Sequence, residues 1–182
     1  MGFVEEFWSI CLFDRGPLYP GIYIKYIEII YLKTGKLFEA SALVAVDIAN
    51  ESDHGWAREF GKNFGIAYQL RNDYLDYFGD NDETGKNIAE DLSEGKSTLP
   101  LIHSYVHSNK KDKDLIETIF NNKVVSDANK LREIFQRNNS DEYTLMEIEK
   151  YSNNAIQALT HLDMEDIQAL VDLTNFCCKR SR

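Results

Sequence analysis

Apolar side chains recur at three- and four-residue steps over most of the chain. From Ile22 to Asn50 the stripe runs Ile22, Tyr26, Ile29/Ile30, Lys33, Leu37, Ala40, Val44, Ile48. That period predicts one long helix with Gly35 inside it, and it places Lys33 on the buried side. A second long helix is predicted from Gly55 to about Gly79, burying Trp56, Phe60, Phe64, Ala67, Leu70 and Tyr74. A polar connection, Asp80 to Gly95, follows. Further helices are predicted over Ser97–Ser108, Lys111–Phe120 and Asp127–Arg137. Another runs to about Thr160 from a Ser140-Asp141 capping signal, and the last covers Asp163–Cys178. Alternating strand patterns between turn residues are absent. Two of the three prolines, Pro17 and Pro20, stand near the start, and Pro100 falls where the first turn of a helix accepts it. The expected fold is all-α: a divergent lead-in over 1–21 and a single helical domain over 22–182. Within the lead-in, the apolar run Phe7–Phe13 follows Glu5 and Glu6 and no basic residues, which is not a signal peptide.

Composition narrows the function classes. The chain has 182 residues, 43% of them hydrophobic, which suffices for one domain with a core. Twenty basic against thirty acidic side chains give a net charge of −10. Such a balance argues against nucleic acid or an anionic membrane as the main partner. No apolar run reaches the ~18 residues of a spanning helix. Cys11, Cys177 and Cys178 make no disulfide framework and suit reduced thiols in the cytoplasm.

The negative charge is concentrated. Residues 71–95 hold eight acidic side chains against Arg71 and Lys86. Within YQLRNDYLDYF, Gln69, Asp73 and Asp76 follow one another at helical steps of four and three, with Asn72 beside them. Two carboxylates a turn apart repel unless a cation lies between them. Oxygen ligands with an open side suit Mg²⁺, which shares phosphate oxygens. Taken alone, this pattern fits a metal–diphosphate site and a solvated acidic face equally. Lysines sharpen it. Lys33 on a buried stripe is expensive unless it faces a cavity or an anion, and Lys86 and Lys96 flank the acidic connection.

The segments KTGKLFEAS, YQLRNDYLDYFGD and TGKNIAEDLSEGKSTLPLI, in this order, resemble the trans-polyprenyl diphosphate synthases, and most of all the bacterial long-chain branch. The resemblance runs from about Tyr26 to the C-terminal KRSR. It implies helices stacked around a deep cavity, and condensation of an allylic diphosphate with isopentenyl diphosphate. Mg²⁺ is the implied cofactor, assisting ionisation of the allylic C–O bond before the isopentenyl double bond attacks. Carried over by position, Asp73 and Asp76, with Asn72, fall in the second aspartate-rich motif and are the expected metal ligands. Gln69, Lys33, Lys86 and Lys96 are the expected diphosphate-binding residues. Lys33, Thr34 and Lys86 are the expected catalytic ones. Lys179, Arg180 and Arg182 match a basic C-terminus, which a frayed tail also explains.

Two departures stand out. Asn72 occupies the place of an aspartate, keeping an oxygen but losing its charge. The family's first aspartate-rich motif belongs upstream of the matched residues, and residues 1–21 contain no DDxxD. The chain therefore reads as the C-terminal half of a synthase, inactive alone and forming homo- or hetero-oligomers with prenyl synthase chains. A non-catalytic or regulatory partner of a full-length synthase, or a truncated remnant, are the alternatives. His103 and His107 at i, i+4 read as a surface pair, without a third zinc ligand. Tyr68, Tyr74 and Tyr77 read as core aromatics.

Overall fold

The computed structural model describes residues 19–79, 89–160, 162 and 164–179, and among these the regular structure is entirely helical. Helix α1 is Tyr19–Ile30; a π-turn, Tyr31–Gly35, leads into α2, Lys36–Ile48. The long α3 is Gly55–Phe78, and α4 is the short Glu90–Glu94. Then come α5 (Leu99–His107), α6 (Lys110–Asn121), a 3₁₀ turn (Val125–Asp127) and α7 (Ala128–Arg137). Finally α8 spans Ser140–Ala158 and α9 spans Met164–Lys179. Among the described residues two compact units emerge: one of residues 19–26 with those of 73–144, the other of Ile27–Asn72 with those of 145–179.

In the first unit the core is Tyr77, Leu92, Leu101, Ile119, Leu131 and Phe135, with Tyr77 edge-on to Phe135 at 5.1 Å. Full burial of each such side chain stabilises by roughly 1.5–3 kcal/mol. Local chemistry sets the helix ends. The Asn109 side chain accepts the Asp112 N–H at 3.0 Å to open α6, and Pro100 sits in the first turn of α5. Helix α4 is bracketed by two left-handed residues, Ala89 (φ 58°) and Gly95 (φ 74°). In the second unit Phe60, Phe64, Ala155, Leu159 and Ile167 form the core, and Phe38 meets Phe64 edge-on at 4.9 Å.

Most predicted helices are present with ends within three residues. The exceptions have physical causes. The helix predicted from Ile22 begins at Tyr19, since Pro20 is tolerated in a first turn; residues 1–18 of the predicted lead-in lie outside the described residues. Glu90–Glu94, expected in a polar connection, is helical because the Asp76 carboxylate accepts its first amides. Ser140 opens α8, but its hydroxyl pairs with His103 and Ser104. The largest correction concerns the stripe beyond Ile30. The π-turn adds one residue to a helical turn, which rotates everything after it by about 100°. Burial accordingly passes from Ile22, Tyr26 and Ile30 to Gly35, Glu39 and Val46. Leu37, Val44 and Ile48, predicted inside, are 71%, 54% and 76% exposed. Lys33 and Ala40 are exposed with them.

Candidate functional site

The Lys-Thr motif lies at the centre of the π-turn. Its register is closed by the Lys36 N–H, which reaches the Tyr31 carbonyl five residues back. Such turns inside α-helices often mark functional sites. Thr34 Oγ1 donates to Gln69 Oε1 at 2.7 Å, so two residues thirty-five apart in sequence meet. Backbone proximity makes that possible. A Cβ built on Gly65 would stand 2.5 Å from Gly35 Cα, and one on Gly61 would stand 2.6 Å from Glu39 Cα. Only glycine allows this approach. Lys33 is exposed, so the desolvation cost inferred from its place in the stripe does not arise.

Further along α3 the acidic residues have acquired partners. Asp73 is buried, and the buried Tyr26 hydroxyl donates to its Oδ2 at 2.6 Å. Burial, then the charge of Asp73, raises the Tyr26 pKa well above the usual phenol value, so Tyr26 holds its proton as a fixed donor. Asp76 accepts the Glu90 N–H at 2.9 Å on one oxygen and the Asp91 N–H at 3.2 Å on the other. Burial and the neighbouring Asp91 charge push its pKa up to about 6, against the two amides that favour the anion. Lys96 pairs with Asp91 at 3.1 Å and with Glu94. Burial works against its charge, but those two hydrogen bonds prevail and raise its pKa. An incoming anion must compete with both carboxylates for it. Asn72 is half-buried. Lys86 lies outside the described residues, as do Arg180 and Arg182 and the side chain of Lys179.

Among the described residues no three His, Cys, Asp or Glu side chains form a group that could hold a metal ion. The donors nonetheless fit a shared ion. Mg²⁺ commonly takes one or two carboxylates and completes its shell with phosphate oxygens and water. A carboxylate offers about four lone-pair sites, so the two α4 amides leave acceptor capacity on Asp76. The set suits a metal arriving with a diphosphate and falls short of a self-sufficient protein cage.

Several participants were not singled out by sequence reasoning. Tyr26 read only as a core position, although its spacing from Ile22 and Ile30 placed it correctly inside. Asp91 and Glu94 read as part of an acidic run, although each is within five residues of Lys96. His103, expected at the surface, is buried. Its Nδ1 lies 2.8 Å from Ser140 Oγ, and its ring stacks between His107 and Tyr143.

This helical chain bonds its Lys-Thr turn to a glutamine one turn ahead of the acidic residues of α3. It belongs to the polyprenyl synthetase family, whose model matches residues 22–137. The octaprenyl diphosphate synthase of Escherichia coli is 34% identical over 164 residues, covering 86% of this chain and 50% of that protein. The all-trans-nonaprenyl-diphosphate synthase of Rhodobacter capsulatus is 35% identical over 157 residues, covering 85% and 48%. Among solved structures, the Caulobacter crescentus polyprenyl synthase complexed with calcium and isoprenyl diphosphate superposes with a TM-score of 0.81 at 29% identity, covering 98% of this chain and 56% of its own. The Helicobacter pylori octaprenyl pyrophosphate synthase gives 0.78 at 30% identity, covering 87% and 53%. The chain spans about half the length of the relatives it matches. No helix among the described residues is long and apolar enough to cross a membrane.

Proposed function

We propose that this chain supplies one half of a long-chain polyprenyl diphosphate synthase site, the half that grips the allylic diphosphate for condensation with isopentenyl diphosphate. The observation that carries the reading is the 2.7 Å bond from Thr34 to Gln69, which joins the Lys-Thr motif to the start of the acidic face. In this reading Lys33, Lys86 and Lys96 bind diphosphate oxygens, and Gln69 orients Thr34. Asp73, with Asp76 and Asn72, holds Mg²⁺ against the same group. When bound, Mg²⁺ supplies charge neutralisation that favours departure of the diphosphate. Tyr26 keeps the Asp73 carboxylate oriented, and Asp76 ties α4 and Lys96 to the end of α3. The same reading places the chain in the cytoplasm, with Cys177 and Cys178 as free thiols.

A second reading, a non-catalytic partner of a full-length synthase, is favoured by one specific observation. Asn72 brings no charge to the acidic face, while Asp73 and Asp76 are already engaged by Tyr26 and the α4 amides. Both readings expect the 182-residue chain alone to elongate no prenyl chain at a useful rate. Loss of a single electrostatic stabiliser commonly costs ~10²–10³ in rate, and a whole opposing acidic motif is not found in this sequence.

Thermal unfolding of wild type, Asn72→Asp and Lys86→Ala, with Mg²⁺, with pyrophosphate and with both, tests the diphosphate half. The wild-type midpoint should rise only with both ligands, because neither finds a complete shell alone. Asn72→Asp should start slightly lower, since it adds a charge beside Asp76, and should gain more. A tenfold tighter site adds about 1.4 kcal/mol at saturating ligand. Lys86→Ala should erase much of the gain. If none of the three responds to Mg²⁺ with pyrophosphate, Asp73 and Asp76 serve only their contacts with Tyr26 and α4, and this reading falls.

A further inference from the structure

We propose that Glu39 and Tyr31 are positioning residues that clamp the π-turn and so set the placement of Lys33 and Thr34; the proposal rests on the diphosphate reading above. Glu39, on α2, is only 3% exposed. A carboxylate taken out of water costs several kcal/mol unless it is well paired. Its two oxygens divide the work. Oε2 accepts the Tyr31 hydroxyl, from the first residue of the π-turn. Oε1 accepts Lys36 Nζ at 3.0 Å and Arg58 Nη1 at 3.2 Å, the latter from α3. Both cations are half in solvent, where such pairs are individually worth little. Tyr31 is therefore the partner that gives the buried carboxylate a directional role. Its ring is held in turn by Lys36 and Lys62, 5.2 and 5.9 Å from the centroid.

A five-residue π-turn needs ties from outside, because its own hydrogen bonding is less favourable than that of an α-helix. Three ties exist. Gly35 packs backbone to backbone on Gly65, Thr34 bonds Gln69, and Tyr31 bonds Glu39. The first two act at the end of the turn and the third at its start. Relaxation to α geometry would rotate the residues after the turn by about 100° relative to those before it. Lys33 and Thr34 would then leave their register with Gln69. Glu39 touches no substrate in this scheme and acts through Tyr31.

Tyr31→Phe keeps the ring and removes the hydroxyl; Glu39→Ala removes the acceptor; Glu39→Gln keeps an acceptor without the charge. Two readouts separate positioning from simple stability. Hydrogen exchange of the amides of residues 33–36, without ligand, should speed up at least about threefold in Tyr31→Phe and Glu39→Ala, and less in Glu39→Gln. The amide of Leu70, deep in α3, should exchange as in wild type. Calorimetry with Mg²⁺ and pyrophosphate should show binding weakened about three- to tenfold in Tyr31→Phe, the scale of one lost hydrogen bond. Wild-type exchange at 33–36 in both Tyr31→Phe and Glu39→Ala would overturn the clamp, even with pyrophosphate binding intact. A wild-type chain that binds no pyrophosphate overturns instead the reading on which the placement of Lys33 depends, whatever the exchange shows.

Discussion

At the residue scale, His103 shows how tertiary context reassigns a side chain. As a sequence feature it paired with His107 on what read as a helix surface. Packing of α8 against it made it a buried imidazole bonded to Ser140 and stacked between Tyr143 and His107. Burial, then the proximity of His107, lowers its pKa to about 4. Because the unfolded value is ~6.5, the unfolded chain binds the extra proton between those limits. Stability is therefore unaffected by this group above pH ~7 and falls as the pH drops from 6.5 toward 4, by at most about 1.4 kcal/mol per pH unit. Urea midpoints of wild type and His103→Gln between pH 7.5 and 5 should converge as the pH falls. Carboxylates such as Asp76 titrate in both proteins and cancel in the difference. Parallel curves would mean that His103 titrates alike in the folded and unfolded chain, so that burial does not lower its pKa. The residues Gln69, Asp73 and Asp76 were legible because helical spacing alone aligned them on α3. Tyr26 as the donor to Asp73 was not, since a contact across forty-seven residues leaves no local trace.

Elements were legible wherever an apolar period met a turn signal, as in α3, α5, α6 and α7. The π-turn was not, because YLKTG looks like ordinary helix and the phase change becomes visible only in which later residues are buried. What made it possible is a glycine contact, which gives a prediction of unusual sign. Alanine normally exceeds glycine in a helix interior by about 1 kcal/mol. At Gly65 the new Cβ would meet Gly35 Cα at 2.5 Å and Gly35 N at 3.2 Å, and a backbone cannot swing aside as a side chain can. Overpacking of this kind costs roughly 1–3 kcal/mol. Gly65→Ala should therefore be destabilising, while Gly21→Ala in α1, where nothing stands within 4 Å of the added carbon, should be neutral or stabilising. Chemical unfolding of the two variants checks both. A stabilised Gly65→Ala would show that the π-turn and α3 are not in backbone contact.

For the whole molecule, the distribution of exposed apolar side chains matters more than their number. Scattered singly they need no explanation. Of the nine large ones exposed among the described residues, eight lie in the second unit; Ile24 alone is in the first. Leu37, Val44 and Ile48 fall at steps of seven and four along α2, which puts them on one helix face, with the small Ala40 and Ser41 between. Phe176 on α9 is 74% exposed in the same unit. Contiguous apolar patches above a few hundred Å² usually find another surface. A chain with such a face on α2 should associate at micromolar concentration. The net charge of −10 opposes this only weakly, because at physiological salt charges are screened beyond ~8 Å. Light scattering should show species heavier than the 21.0 kDa monomer. Leu37→Glu with Val44→Lys should shift them toward monomer while helical content and the unfolding midpoint stay nearly unchanged, since neither side chain contributes to the core. A wild-type chain that is monodisperse and monomeric, and that binds no hydrophobic dye, would mean that the α2 face is not an adhesive surface.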